Sequence, residues 1–471
     1  MDLPSSKTPA SLPAEPLDRA YALDVLRQAW GGPAAVNEAA ASLWEPLARH
    51  IWPHLTAQRD EDGDRSYRGL RSAPDFHEAF AALERRVPAA GEAPRVSLAR
   101  WPDAAPFALM LSHDIDQIYD RELFRVIADV NHIRRILTQG ETGHAGLASR
   151  RVLRALFRPK RTLWDFETIL SLEARHGFRS TFFVLHDRYF ARQGARFNVE
   201  DRALREIARM VRAVGSELGV HGGYYRFNDA AQYRESRLKL SELFGVETVG
   251  IRNHLLRFSY PGTWQAQAAA GFAYDATYGY RSVPGPRGGL AFPFWIYDPA
   301  ARGPSTMLEL PLTVMDTSIF RYLRLEGERA LEYCWQMVER LAGYGALVTL
   351  LWHNNFFNEP EYWDWHMVYE RLLERLASLK PWCVPGAEIN RWWRARAAVQ
   401  FETRTAADGA AVVTLRAGSE IKGLVLEVAG GEWTPSVPGA PISPRRTASG
   451  WQAALPPMPA GGTLTVNLVR I

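Results

Sequence analysis

The chain has 471 residues, 47% of them hydrophobic, and 56 Lys and Arg stand against 52 Asp and Glu. That size supports a large buried core split between two or three domains, and the near balance of charge, with no helix-turn-helix, zinc-finger or aromatic RNA-binding signature, speaks against nucleic acid as a partner. Two cysteines, Cys334 and Cys383, are too few for a disulfide framework or a thiolate metal site, so both read as free thiols.

Residues 1–16 are rich in Pro and Ser and lack the continuous apolar core of a signal peptide. No later stretch reaches the roughly 18 apolar residues that cross a bilayer. A cytoplasmic location is therefore expected, with room for peripheral attachment to the inner membrane. Residues 17–55 carry Leu23, Leu26 and Trp30, then Leu43, Trp44, Leu47, Ile51 and Trp52, at helical spacing. A further helix is expected over 73–86, and 88–94 is a linker. These segments form an N-terminal tail and helical cap over 1–100.

From about 101 to 397 short apolar runs alternate with longer amphipathic ones, the pattern of βα units around a parallel sheet. Strands are expected at 107–112, 180–186, 217–220, 249–252, 272–276, 307–312 and 346–352. Helices are expected at 162–176, 201–214, 229–244, 263–270, 327–344 and 361–379. Seven such strands make either an open doubly wound sheet or an incomplete, distorted (β/α) barrel, and both place ligands at the carboxyl ends of strands. An insertion over 121–161 carries ten Arg and Lys against three acidic residues. It could meet anionic glycan, phospholipid headgroups or a nucleotide diphosphate, or face water as a solvated helical hairpin. Over 398–471 period-two runs broken by Gly and Pro indicate a small all-β domain of sandwich type.

The chemistry-bearing residues fall where these strands end. The run Phe107-Ala108-Leu109-Met110-Leu111 stops at Ser112-His113-Asp114-Ile115-Asp116. One Asp-x-Asp is often only an acidic turn. Yet His221 follows a second strand, Arg252 and His254 a third, and His353 a fourth. In a parallel α/β fold those ends share one face, so groups more than two hundred residues apart converge there.

Carboxylate and imidazole together suit a divalent ion such as Zn²⁺, which in catalytic sites keeps one position open. Such an ion acidifies water and polarises a carbonyl. Asp114, two residues before Asp116, is close enough to act as base if both side chains enter the pocket. Arg252 could hold that base charged and aimed. His353 can protonate a leaving nitrogen from the opposite side.

Taken in order, these segments resemble the NodB-type polysaccharide deacetylases, carbohydrate esterase family 4. Ser112 to Asp116 is similar to the first motif, Thr-Phe-Asp-Asp-Gly, with the Asp-x-Asp spacing of a divergent branch that includes allantoinase-like and certain peptidoglycan deacetylases. Ser180-Thr181-Phe182-Phe183-Val184 resembles the second-strand Ala-Thr-Phe-Phe-Val, Gly219-Val220-His221 the start of the second motif, and Leu351-Trp352-His353 the last. The resemblance covers roughly 106–379. It implies Asp114 as base, Asp116 and His221 as metal ligands, Arg252 as brace of the base, and His353 as general acid. It also implies removal of an N-acyl group, acetyl above all, from an amino sugar of a bacterial glycan or glycan precursor.

The chain departs from that pattern in two respects: Asp114-Ile115-Asp116 lacks the Gly of the first motif, which bears on the turn that relates base to ligand, and the second motif is incomplete. The second motif is His-x-x-x-His, but four residues after His221 stands Tyr225. His254 is the expected replacement ligand, with Tyr225 or water as its competitors. Asp275, Glu309 and Asp316 lie near other strand ends, where they could tune His353, contact sugar hydroxyls or serve as structural hydrogen-bonding groups. His113 could cap its strand, and Trp352 with the aromatics of 356–365 could form a sugar platform or pack a loop. Rival functions are hydrolysis of a small cyclic amide, glycosyl transfer with Mn²⁺ on Asp114 and Asp116, and non-catalytic sugar binding.

Overall fold

In the computed structural model the described residues are 94–119, 165–187, 194–195, 197–357, 363–405, 410–429, 433–448 and 450–470. Residues 1–93 of the expected tail and helical cap, and the basic insertion over 121–161, lie outside them.

The centre of the molecule is one curled, ten-stranded sheet in the order β7-β8-β6-β5-β4-β3-β2-β10-β9, with β11 pairing β2. Its members are β2 (Ala108–Ile115), β3 (Ser180–Leu185), β4 (Glu217–Gly222), β5 (Gly250–Asn253), β6 (Tyr274–Asp275), β7 (Phe294–Asp298), β8 (Gly303–Glu309), β9 (Val314–Met315), β10 (Leu347–Leu351) and β11 (Trp382–Cys383). All pairs are parallel except β7 with β8. The ordered path does not close from β9 to β7, so the sheet is an incomplete barrel. All seven expected strands are in it. The additions are the antiparallel β7 and the two-residue β9 and β11, which are too short to show a period of two.

Sequence accounts for this core directly. Every residue of β2 is buried, as expected of a strand covered on both faces, and each large apolar side chain so placed contributes roughly 1.5–3 kcal/mol. Helices α1 (Asp165–Ala174), α2 (Arg202–Ala213), α3 (Ala230–Phe244), α4 (Gly262–Ala269), α5 (Gly327–Gly343) and α6 (Trp363–Ser378) connect the strands. In α2 the Asp201 carboxylate caps the helix by accepting from the Ala203 N–H, and Leu204, Ile207, Ala208 and Val211 form the buried stripe. In α3 Asp229 accepts from Ala231 and Gln232, and Gly245 ends the helix in the left-handed conformation at φ 63°. Gly222, the last residue of β4, permits close approach of β5, because a Cβ there would collide with the Asn253 side chain.

Strand β1 (Arg95–Leu98), at the end of the segment expected to be a helical cap, pairs antiparallel with β14 (Val425–Ala429) of the C-terminal region. That region forms two four-stranded antiparallel sheets, β1-β14-β17-β16 and β12-β13-β18-β15, where β12 is Gln400–Thr405, β13 Ala411–Arg416, β15 Trp433–Ser436, β16 Arg445–Thr447, β17 Gly450–Ala454 and β18 Thr463–Arg470. Helix α7 (Gly386–Ala397) joins them to the barrel. Its buried Arg396 donates from Nε to the Ala99 carbonyl at 2.8 Å and from Nη2 to the Leu98 carbonyl at 2.9 Å. Its Trp393 packs on Trp101 with centroids 5.3 Å apart. Cys334 and Cys383 are free and buried. No helix among the described residues is long and apolar enough to cross a membrane.

Candidate metal centre and its flanking acid and base groups

The alternation of β2 decides which of its polar groups enter the barrel. Ser112, Asp114 and Asp116, two residues apart, take one face, and His113 takes the other. Arg252 on β5, with no exposed surface, reaches the first two. Its Nη1 donates to Ser112 Oγ at 2.8 Å and to Asp114 Oδ1 at 3.1 Å, while Nε donates to the Ala276 carbonyl at 2.9 Å. The guanidinium carbon also lies 4.6 Å from the centre of the Phe183 ring. A buried guanidinium held at this many points is a rigid brace for Asp114. Ser112, whose hydroxyl also donates to the Leu350 carbonyl at 2.7 Å, is a member of this brace that sequence reasoning missed.

His221 lies opposite Arg252 in the parallel register of β4 and β5. Its Nδ1 donates to the Arg252 carbonyl at 2.9 Å, because a carbonyl oxygen only accepts. In the neutral form of this tautomer Nε2 is the atom free to bind a cation. That atom lies 3.4 Å from Asp116 Oδ1 and 3.7 Å from Asp114 Oδ2. His254 Nε2 lies 3.7 Å from Asp116 Oδ1. It follows β5 at a turn in which Leu255 and Leu256 both adopt positive φ, 54° and 52°. Such left-handed residues cost about 1–2 kcal/mol each outside glycine, and burial of Leu256 helps to hold the turn.

Asp116, His221 and His254 offer ligand atoms that all lie within 4.8 Å of one another. Asp116 Oδ1 and His221 Nε2 are buried without a hydrogen-bond partner, an arrangement that costs free energy unless a cation or water completes it. One carboxylate and two imidazoles are a hard and borderline donor set that fits a divalent ion. Burial opposes the charge on Asp116, but the three histidines His254, His221 and His353 together outweigh it and hold the carboxyl below its ordinary range. Tyr225, the competing ligand, has 44% of its surface exposed.

Across the sheet, β10 ends at His353, whose imidazole Nδ1 lies 2.9 and 3.1 Å from the two oxygens of Asp316. The backbone N–H of His353 also donates to Asp316, at 2.6 Å. Burial pulls this imidazole down, but the charge and hydrogen bond of Asp316, joined by the charges of Asp116 and Asp114, push it up to about 9. The protonated form is thus the resting one at neutral pH.

Of the weaker candidates, only Asp316 reaches His353. Asp275 and Glu309 form a separate, fully buried pair in which Trp264 Nε1 donates to both, at 3.2 and 3.0 Å. Burial raises both carboxyls, Glu309 strongly, and Asp275 adds to the rise of Glu309. Their partners are the Thr277 and Tyr278 backbone N–H groups and the Gln267 amide, so their work is structural. Trp352 is buried against Phe320 and Tyr369. Trp365 stacks on the same Phe320 at 4.4 Å and Phe356 packs edge-on against Trp365 at 4.2 Å, so these rings pack on one another.

No family model matches the chain, and no curated protein does. Among solved structures the chain is similar to a protein of Mycobacterium smegmatis assigned provisionally as a polysaccharide deacetylase, at 17% identity and TM-score 0.42, over 66% of this chain and 95% of that one. It is similar to the peptidoglycan deacetylase PdaC of Bacillus subtilis at 12% identity and TM-score 0.31, over 62% and 94%. A chitin deacetylase of Colletotrichum lindemuthianum gives 12% identity and TM-score 0.32, over 62% and 89%.

Proposed function

We propose that the protein is a metal-dependent amide hydrolase of the NodB type that removes an N-acyl group, acetyl above all, from an amino sugar of a bacterial glycan or glycan precursor. One observation carries this reading: a cluster of Asp116, His221 and His254 within 4.8 Å of one another is flanked by a carboxylate, Asp114, braced by Arg252 and by an imidazole, His353, held by Asp316. Base, ion site and acid are what hydrolysis of an amide requires. The substrate class rests on the resemblance of the motif segments.

A divalent ion held by these three ligands, Zn²⁺ by its donor preference, supplies Lewis-acid polarisation of the acyl carbonyl and acidifies water. Asp114 Oδ2, the oxygen that Arg252 leaves toward His221, takes the proton of the attacking water. Arg252 keeps that carboxylate in one orientation. His353 gives its Nε2 proton to the departing amine, and Asp316, on the other ring nitrogen, holds the imidazole against rotation and neutralises its charge. About a third of the Asp116 side chain, 34%, remains exposed, so the cluster is open on one side to a substrate.

A small apolar group, Leu256, Leu312, Met315 and Leu351, stands apart from the main core. Three members adjoin site groups in sequence: Leu256 follows His254 by two residues, Met315 precedes Asp316, and Leu351 precedes His353 by two. We assign it to the acyl methyl, whose transfer from water contributes about 0.8 kcal/mol per carbon. The test is acetate release from N-acetylated amino sugars and their oligomers by protein loaded with Zn²⁺. Release that stops on chelation supports the reading, and metal-independent release or none across monomeric, oligomeric and lipid- or nucleotide-linked donors opposes it.

A further inference from the structure

The peptide unit between Trp352 and His353 is gripped at both ends. Its N–H donates to Asp316 Oδ2 at 2.6 Å, the same carboxylate that holds the His353 ring. Its carbonyl accepts a hydrogen bond of 2.7 Å from Nδ1 of His113. His113 is the neighbour of Asp114 on β2, but it faces the helices, and no part of it is exposed. Its second ring nitrogen, Nε2, lies 2.8 Å from Glu173 Oε1 on α1. Glu173 is fixed in turn by the Tyr369 hydroxyl at 2.7 Å and the Ser180 hydroxyl at 2.6 Å.

We propose that His113 is a positioning residue for the acid half of the site: seated on Glu173, it fixes the Trp352–His353 peptide from its carbonyl side while Asp316 fixes it from its N–H side, which aims the His353 imidazole. This rests on the role given above to His353. The geometry supports it on two counts. A peptide whose carbonyl accepts a hydrogen bond is polarised so that its N–H donates more strongly, which couples His113 to Asp316 through one planar group. The same contact ties the end of β2, which carries the base, to the end of β10, which carries the acid, so one strand sets the spacing of both. A strand-capping role would need one hydrogen bond from His113; the second, to a buried carboxylate with two further donors, restricts the ring to a single pose.

The test uses the full chain without metal and follows the Nδ1–H proton of His353 by NMR with ¹⁵N-labelled histidine, identified by its loss in H353Q. Locked against Asp316, that proton gives a downfield, slowly exchanging resonance. In H113F/E173Q, which avoids leaving Glu173 short of a partner, the resonance is expected to broaden and its exchange with solvent to quicken about tenfold or more. In H113N, whose side-chain amide can still donate toward the carbonyl, part of the protection is expected to return. With an acetylated substrate, H113F/E173Q is expected to lower kcat about 10- to 100-fold, a fraction of what general acid catalysis supplies, with KM little changed. An unaltered His353 proton in a folded H113F/E173Q overturns the proposal, and so does loss of protection equal in H113N and H113F/E173Q. The NMR readout needs no turnover, so absence of deacetylation in wild type would count against the hydrolase reading alone.

Discussion

His221 Nε2 and Asp116 Oδ1 face each other at 3.4 Å, both enclosed and neither hydrogen-bonded. With Nδ1 taken by the Arg252 carbonyl, Nε2 is the ring atom that His221 turns toward that carboxylate oxygen. Two such atoms enclosed together need a proton or a metal cation between them. The consequences for metal, base, acid and acyl pocket can be measured separately.

The third ligand is the first of these. Titration calorimetry with Zn²⁺ is expected to show one site, weakened well over tenfold in H221A and by a comparable factor in H254A. Y225F is expected to bind as wild type, since Asp116, His221 and His254 already supply three ligand atoms. Thermal unfolding should follow, because an ion that binds only the folded chain adds about 2.7 kcal/mol of stability at a hundred times its Kd. Wild-type affinity in H254A together with a loss in Y225F would move the site to the tyrosine.

Arg252 is expected to matter for stability as much as for turnover. R252M removes the charge partner of Asp114, which is buried, and breaking such a pair costs about 3–5 kcal/mol. Urea unfolding at neutral pH should show that loss in R252M and recover part of it in D114N/R252M, where no carboxylate is left stranded. Equal stability of the two variants would contradict the brace.

His353 carries a pH signature. Its folded pKa, pushed up to about 9, exceeds the ordinary value near 6.5, so the cation is the form that folding favours. The stability it contributes is complete below about 6.5 and is lost as pH rises through about 9. An NMR titration of the metal-free chain should place the His353 midpoint near the upper value, and D316N should bring it down toward 6.5 or lower. A midpoint that ignores D316N would remove Asp316 from its role.

The cluster Leu256, Leu312, Met315 and Leu351, assigned above to the acyl methyl, is tested through acyl length. M315A is expected to enlarge the space left for the acyl chain and to raise the kcat/KM ratio of propionyl over acetyl substrate about tenfold, since one methylene in an apolar pocket is worth about 1–3 kcal/mol. An unchanged ratio would place the acyl group elsewhere.

Much of this site is legible in the sequence because parallel strands ending in polar residues must deliver them to one face. Asp114, Asp116, His221, Arg252, His254 and His353 lie at or just past the ends of short apolar runs, and the structure gathers them at one rim. What stayed hidden depends on partners with no local mark. Of the three carboxylates able to tune His353, nothing local marks Asp316 as the one that meets it, across 37 residues, and Glu173 meets His113 across 60. The period of two along β2 does predict that His113 turns away from Asp114, but only the packing of α1 and α6 shows what receives it. In the fold, β9 and β11 are two residues each, and β1 finds its partner more than three hundred residues away, beyond the reach of any local pattern.

The most direct test of the account is acetate release by Zn²⁺-loaded wild type and D114N, measured side by side on N-acetylated amino-sugar oligomers and lipid- or nucleotide-linked donors, with metal content determined on the same samples. The account predicts release by wild type, a fall of about 10²- to 10⁴-fold in D114N, and metal binding within a few-fold of wild type in both. Full activity in D114N, or stoichiometric metal with no acetate from wild type on any of those donors, would contradict it.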